Sequence, residues 1–491
     1  MMLLSQAEKI LDGRMVGRDV RFSAVSTDSR KIVAGDLFIA LRGDNFDGYE
    51  FAANAAKDGA VAVLVNADSY EANPAILDFQ TSVLVVKDTR LALGQLAAYW
   101  RSRFDIPLVA ITGSNGKTTV KEMLAGILRA AAGAEEAVLA TKGNLNNDIG
   151  MPLTLLQLND KHRYAVIEMG MNHPGEIDYL TQIACPDVAL VNNASGAHLE
   201  GLGSVEAVAR AKGEIFNGLA YDGSTAIINA DDEHAPLWHA LAGTRTLLEF
   251  ALDQSADING QWQPQQDGGI QLSVQTPRGT LIAELQVPGE HNARNALAAT
   301  AAAFALDVPL ERIVEGLQGF SGVAGRLQRK AARRGALLID DTYNANPASM
   351  RAAVAVLEQA AGKRILVLGD MGELGEGAAA FHAEIGRDAK RAGIEKLYAL
   401  GELSRNTASE FGSGAQHFER IEDLLAQLDN ELDASTTLLV KGSRFMKMER
   451  VVAHCVDTTE KGEARREKGG AGAGLPPSPF LLPPSPEERT H

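Results

Sequence analysis

The residues Thr112-Gly-Ser-Asn-Gly-Lys-Thr-Thr119 put two glycines, a lysine and several hydroxyls into one short stretch. Gly113 and Gly116 can take backbone angles closed to other residues, so the amides around Ser114 and Asn115 can converge on an anion at a helix start. Lys117 adds a charge suited to β- and γ-phosphates, the Thr118 hydroxyl is placed to hold Mg²⁺, and Thr119 completes the cradle. The chemistry is that of a nucleoside triphosphate site. The general P-loop pattern asks for glycine five residues before Gly116, and Ile111 stands there. An ordinary strand-turn-helix corner with a surface lysine is the competing account.

Other reactive side chains follow apolar runs. Tyr164-Ala-Val-Ile leads into Glu168, and Val188-Ala-Leu-Val191 into Asn192-Asn-Ala-Ser-Gly-Ala-His198. Taken alone, Glu168 is a solvated strand end and His198 a loop histidine; at one sheet edge beside the phosphate turn, both can reach a metal on the nucleotide. Lys212 falls inside the apolar stripe of a helix read over Gly203 to Leu219, with Ser204 as N-cap. An ammonium there must be paired, neutralised or modified, unless it snorkels out at the stripe's edge. Asn292 and Asn295 share the first turn of an alanine-rich helix, where amides can read a nucleobase edge; capping would explain Asn292 alone. The loops Ser26-Thr-Asp-Ser-Arg30 and Arg42-Gly-Asp-Asn-Phe-Asp-Gly48 fit anionic or sugar ligands and solvated turns equally.

The elements that would position these residues alternate strand and helix along the chain. Strands are expected at Asp36–Leu41, Ala60–Val65 and Ser82–Val86, with helices at Tyr49–Asp58 and Thr89–Phe104. A second unit holds the strand Leu108–Ile111, a helix from Thr118, the strand Thr225–Asn229 and an irregular β excursion from Asp253 to Gln286. A third holds strands at Leu337–Ile339, Ile365–Leu368, Lys396–Leu400 and Thr437–Val440, with polar stretches Asp340-Asp-Thr-Tyr-Asn-Ala-Asn-Pro347, Gly369-Asp-Met-Gly-Glu-Leu-Gly375 and Lys441-Gly-Ser-Arg444 after them. The expected fold class is α/β in three domains, a central P-loop parallel-sheet domain flanked by a small α/β domain and a Rossmann-like one. Boundaries are placed at 1–104, 105–322, 323–456 and a disordered tail at 457–491.

The bulk numbers agree with that division. At 491 residues the chain is too long for one core and suits about three domains. A net charge of −16 argues against nucleic acid or an anionic membrane surface as the main partner. No apolar run approaches the ~20 residues of a membrane span, no signal peptide is evident, and two distant cysteines suggest neither disulfides nor a metal knuckle. A cytoplasmic protein is the simplest expectation. Six of the 17 prolines fall between Pro476 and Pro486, a composition that cannot bury a core.

The phosphate stretch, Thr141-Lys-Gly-Asn-Leu-Asn-Asn147, Glu168-Met-Gly170, Ala197-His-Leu-Glu200, Ala211-Lys-Gly-Glu214, His291-Asn-Ala-Arg-Asn295, Gly325-Arg326, the 340–347 stretch and Lys441-Gly-Ser-Arg444 together resemble, in order, the Mur ligases of peptidoglycan synthesis. The Asn-Ala-Asn-Pro and Gly-Asp-Met-Gly-Glu-Leu-Gly stretches point to a member whose amine substrate is D-alanyl-D-alanine. The resemblance covers residues 1 to about 456. It implies an N-terminal UDP-sugar domain, a central ATPase domain and a C-terminal domain bringing the amine, with ATP and Mg²⁺ as cofactors. It also implies UDP-N-acetylmuramoyl-tripeptide and D-alanyl-D-alanine as partners, and a monomer without membrane insertion. It makes Lys117, Glu168, His198 and Lys212 catalytic. Thr118, Glu168, His198 and a carbamylated Lys212 would hold the metal. Asn292 and Asn295 would face adenine, and Arg326 and Asp341 the nucleotide. Asn144, Asn146 and Asn147 would take the sugar-peptide, Ser29, Arg30, Phe46 and Asp47 its UDP end, and Asn344, Asn346, Lys441 and Arg444 the dipeptide. Another amide ligase of the same superfamily, or a nucleotide-switched binding protein, are the alternatives.

Overall fold

The computed structural model describes residues 1–43, 46–77, 81–196, 199–219, 223–266 and 268–456. The expectation of a disordered tail and the role expected of His198 fall outside these residues. The chain builds three α/β units, each around its own sheet.

The N-terminal sheet is made of β1 (Arg14–Val16), β2 (Ala24–Ser26), β3 (Asp36–Ile39), β4 (Ala62–Asn66) and β5 (Ser82–Val86). Their order is β1-β5-β4-β3-β2, parallel except for β1. Strands β3 to β5 are buried at every position, as continuous Val and Leu runs require when helices cover both faces. The helix expected from Tyr49 begins as a 3-10 turn, Gly48–Phe51, before the α-helix Ala52–Lys57. The helix Thr89–Arg101 is capped by the Asp88 carboxylate and packs its Leu93, Leu96 and Ala97 face towards the second unit. There the Trp100 indole donates to the Leu158 carbonyl at 3.0 Å. Each such fully buried leucine stabilises the junction by roughly 1.5–3 kcal/mol.

The central sheet is β6 (Leu108–Thr112), β7 (Val138–Ala140), β8 (Tyr164–Glu168), β9 (Val188–Val191), β10 (Thr225–Asn229), β11 (Thr246–Ala251), β12 (Ile258–Pro264), β13 (Ile270–Thr276) and β14 (Gly279–Leu285). The order β7-β8-β6-β9-β10-β11-β12-β13-β14 makes β6 the point where the winding reverses. Ligands in such sheets lie beyond the carboxyl end of the strand at that point. Residues 253–286 are not an irregular excursion. Their strands β12, β13 and β14 form a regular antiparallel meander continuing the sheet, in which Ile270, Leu272 and Val274 pair with Leu285, Ala283 and Leu281 on one buried face. Around the sheet lie α1 (Lys117–Ala132), α2 (Glu176–Ala184), α3 (Val205–Gly213) and α4 (Glu290–Ala305).

The helix expected over Gly203–Leu219 is shorter than its hydrophobic pattern. Ser204 caps α3 through Ala207 N–H, but after Gly213 the chain tightens into a 3-10 stretch, Glu214–Gly218. A Cβ on Gly213 would lie 2.3 Å from Leu241, so the neighbouring helix Ala235–Ala242 approaches closely at that turn.

The third sheet is β15 (Gln328–Ala331), β16 (Leu337–Asp341), β17 (Lys363–Gly369), β18 (Lys396–Leu400), β19 (Ala415–Phe418) and β20 (Thr436–Lys441), ordered β15-β16-β20-β17-β18-β19 and parallel except for β15. Helix α5 (Ala378–Arg391) follows β17 after the Gly369–Gly375 stretch. No helix among the described residues is long and apolar enough to cross a membrane.

Candidate active site

Strand β6 runs through Ile111 to Thr112, fully buried, and the phosphate turn begins only at Gly113. That is why Ile111 can replace the glycine of the longer P-loop pattern: the position is sheet, paired between Glu168 and Leu190. Gly116 caps α1 at φ 78°, and a Cβ there would lie 2.2 Å from Asn295 Oδ1. Only glycine meets both demands.

The turn is stapled to the segment after β9. Asn115 N–H donates to Asn193 Oδ1 at 2.8 Å, Asn192 Nδ2 donates to Asn115 O at 3.0 Å and to Asn295 Oδ1 at 3.1 Å, and Ser195 N–H donates to Ser114 Oγ at 2.9 Å. Asn192, Asn193 and Ser195 were visible in the sequence as a polar run after a strand. Their task is to hold the turn from behind. Asn295 joins them, whereas the Asn292 amide donates locally to Pro288 O at 2.8 Å.

Lys117 Nζ donates to Gly113 O at 2.7 Å, and burial lowers its pKa, with Arg326 adding to the effect and Glu168 opposing it. An ammonium held by one carbonyl retains donors for an anion, so the turn fits a polyphosphate. Beside it Thr118 Oγ donates to Glu168 Oε2 at 2.9 Å, and Asn146 Nδ2 donates to Glu168 Oε1 at 2.8 Å. Glu168 is 2% exposed. Across from them Arg326, from the third unit, donates to Thr118 Oγ at 2.9 Å and stacks over Tyr343 at 4.2 Å. A hydroxyl and a buried carboxylate that draw in a cation suit Mg²⁺ bound together with phosphate oxygens. Among the described residues no group of three or more His, Cys, Asp or Glu side chains converges to hold a metal unaided.

Lys212 is 1% exposed in the last turn of α3, and among the described residues no hydrogen-bond or ion-pair partner meets its amine. Burial, with the nearby Lys117 charge, holds its pKa well below the usual lysine range. It does not snorkel. A second buried lysine, Lys121, escaped the sequence reading although it lies on the inner arc of α1. Its Nζ donates to Thr141 O at 2.6 Å and to Glu122 at 2.5 Å, while Thr141 Oγ accepts from Glu168 N–H at 2.9 Å. The start of the Asn144–Asn147 loop is thereby tied to both α1 and β8.

In that loop Asn144 is exposed, and Asn147 Oδ1 accepts from Gly150 N–H at 2.8 Å, capping the next helix. Asn346 caps the helix Pro347–Glu358, and its amide donates to Asn115 Oδ1 at 2.8 Å, a second contact from the third unit to the phosphate turn. Lys441 Nζ donates to Asp341 Oδ2 at 2.6 Å and to Asn344 O at 2.9 Å. Burial raises the Asp341 pKa, and the Lys441 and Arg326 charges oppose it. Arg444 is exposed and reaches Glu449 at 3.3 Å. Ser29, Arg30, Phe46 and Asp47 stay on the N-terminal unit's own loops. Arg30 pairs with Asp28, Asp47 accepts from Tyr49 N–H at 2.9 Å, and Phe46 is 40% exposed.

With this geometry in place, three family models match in chain order. They are the "Mur ligase family, catalytic domain" over residues 21–101, the "Mur ligase middle domain" over 111–303 and the "Mur ligase, glutamate ligase domain" over 325–444. The chain belongs to the Mur ligase family. Among similar Mur ligases, the UDP-N-acetylmuramoyl-tripeptide--D-alanyl-D-alanine ligase of Escherichia coli is 43% identical over 91% of this chain and 97% of its own. That of Bacillus subtilis is 35% identical over 88% and 93%. A crystal structure of MurF from Acinetobacter baumannii superposes with a TM-score of 0.84 at 36% identity, covering 92% of this chain and 98% of that one. A MurF ligase from Thermotoga maritima in complex with ADP superposes at 0.76 and 25% identity, covering 90% and 98%.

Proposed function

We propose that this chain is the ATP-dependent ligase that joins D-alanyl-D-alanine to UDP-N-acetylmuramoyl-tripeptide, acting as a cytoplasmic monomer. The observation that carries the reading is that the third unit reaches the phosphate turn directly, Arg326 at Thr118 and Asn346 at Asn115. Such contacts let an amine held on the third unit meet a group activated on the second. The relatives' names supply the substrates.

The chemistry follows from the poor leaving group of a carboxylate. A tripeptide carboxylate oxygen attacks the γ-phosphorus, the bond to the β-phosphate oxygen breaks and ADP departs. The dipeptide's amine, having lost its proton, attacks the acyl carbon, and inorganic phosphate leaves. Catalysis of this kind is mainly positioning and charge neutralisation. Lys117 and the amides of 113–119 cradle the β- and γ-phosphates, and Arg326 and Asp341 meet the nucleotide at the junction of units. Asn292 lies on the adenine side, and Asn295 acts through the turn it backs. Asn144, Asn146 and Asn147 orient the sugar-peptide, with its UDP end at Ser29, Arg30, Phe46 and Asp47. Asn344, Asn346, Lys441 and Arg444 receive the dipeptide. Mg²⁺, when bound, would supply charge neutralisation for the phosphates. Thr118 and Glu168 would hold it, with His198 and a carbamate on Lys212; the neutral amine favoured by burial is the form that adds CO₂.

The purified chain with ATP, Mg²⁺ and UDP-N-acetylmuramoyl-tripeptide should release ADP and form a longer peptide with D-alanyl-D-alanine, and not with glutamate or meso-diaminopimelate. ADP release indifferent to the peptide, with no amide formed, would overturn the reading.

A further inference from the structure

The Gly369–Gly375 stretch carries no task in the chemistry above, yet it lies against both loops assigned to the amine substrate. Asp370 O accepts from Ser443 N–H at 3.0 Å, while its carboxylate accepts from Ser404 N–H at 2.7 Å and Leu403 N–H at 3.2 Å. Gly372 N–H donates to Ser443 Oγ at 2.9 Å, and that hydroxyl donates to Ala345 O at 3.2 Å. Ser443 stands between Lys441 and Arg444, and Ala345 between Asn344 and Asn346. Beside the direct bond from Lys441 Nζ to Asn344 O, the Ser443 hydroxyl thus bridges the two loops at Ala345, and this stretch sets where that hydroxyl sits.

The stretch is in turn fixed by one side chain of α5. Met371 N–H donates to His382 Nε2 at 2.9 Å, so the ring proton sits on Nδ1 and donates to Ala378 O at 2.7 Å. The residue is 1% exposed, and Thr407 Oγ donates to its carbonyl at 2.9 Å. Both ring nitrogens are committed, and a buried N–H at Met371 has no water to turn to if its acceptor is lost.

We infer that His382 is a positioning residue for the amine substrate: it pins Met371 and, through Gly372, seats the Ser443 hydroxyl that bridges to Ala345, so that Asn346 and Arg444 on either loop keep their places. The inference rests on the proposal that the third unit receives D-alanyl-D-alanine. Two substitutions in the full chain separate the bonds of the ring. In His382→Gln the side-chain oxygen reaches the place of Nε2 and can accept from Met371. In His382→Asn the amide reaches only the place of Nδ1 and can replace only the bond to Ala378. His382→Gln should keep KM for the dipeptide within about twofold, and His382→Asn should raise it about tenfold, the loss expected of one unpaired buried donor. KM for ATP and for the UDP-tripeptide should stay unchanged in both, and hydrogen exchange at the Met371 amide should quicken only in the Asn variant. If the Asn variant does not fold, Ser443→Ala breaks the next bond in the chain and should likewise raise the dipeptide KM alone. Equal effects of Gln and Asn, or a parallel rise in all three KM values, would overturn the inference while leaving an active wild type and the proposed function in place. A wild type that forms no amide would overturn the function itself, and the role in amine positioning with it.

Discussion

A lysine amine that is 1% exposed and has no partner among the described residues is a costly object, so Lys212 has to be understood by what is done to it. Burial and the nearby Lys117 charge favour the neutral amine, the form that adds CO₂, and the proposed carbamate would put an anion where a buried cation would be costly. Lys212→Ala should lower kcat by about a hundredfold or more, on the scale of losing one preorganised electrostatic group, with added bicarbonate restoring nothing. Assays across bicarbonate concentrations check this, and wild-type rates in the variant would remove the carbamate from the mechanism. Lys121, equally buried, is satisfied by Thr141 O and Glu122 and acts on structure. Lys121→Met leaves the Thr141 carbonyl unpaired, so it should cost about 1–3 kcal/mol in a denaturant titration and raise KM for the UDP-tripeptide more than for ATP. The two lysines give the same sequence signal, a cation on an apolar helix face. Only the partner, remote in sequence, tells them apart.

At the level of elements, legibility followed the continuity of the apolar pattern. Strands β5, β9, β10 and β18 have the bounds that their Val, Leu, Ile and Ala runs suggest, since a strand buried on both faces needs no alternation. The β12–β14 meander was obscured because Gly260, Pro264 and several glutamines interrupt the pattern, although every second residue of β13 is buried. The end of α3 was hidden because Gly213 answers a contact with Leu241, which no local pattern records. Strand β19 was missed for its weakly apolar Ala-Gln-His-Phe sequence. In the site, groups that follow strands were legible, whereas Lys121 and the stapling role of Asn192 and Asn193 depend on tertiary contacts. One element contact also sets an acid response. Lys363, opening β17, reaches Glu431 at 2.5 Å, and Lys396, opening β18, reaches it at 3.0 Å. Burial alone would raise the Glu431 pKa, but the two lysines outweigh it and bring it down to about 2. The unfolded chain binds this proton first as pH falls, so the stabilisation is complete above the ordinary carboxylate pKa of about 4.5 and disappears towards about 2. Glu431→Gln should therefore be less stable than wild type at neutral pH and lose less between pH 5 and pH 3, as denaturant midpoints at each pH would show.

On the scale of the whole molecule, the described contacts of the third unit with the phosphate turn include Arg326 at Thr118 and Asn346 at Asn115, and the proposed chemistry needs these residues close together. Asn346 Nδ2 to Asn115 Oδ1, at 2.8 Å, is the one most open to test, because neither side chain carries charge and each also has local bonds that keep its loop in shape. If this bond helps hold the units in the arrangement that brings amine to acyl phosphate, Asn346→Ala and Asn115→Ala should each lower kcat/KM, and the second substitution should add little once the first is made. The expected coupling is about 0.5–1.5 kcal/mol, the net contribution of one neutral hydrogen bond. The cycle should be read with D-alanyl-D-alanine saturating and ATP varied, since Asn115 lies in the phosphate turn and Asn346 in a loop proposed to receive the dipeptide. Solution scattering gives the independent measurement: both substrates should compact the wild type, and the double variant should compact less at the same concentrations. Additive effects in the cycle, together with identical scattering of all four proteins, would show that the units meet without help from this bond.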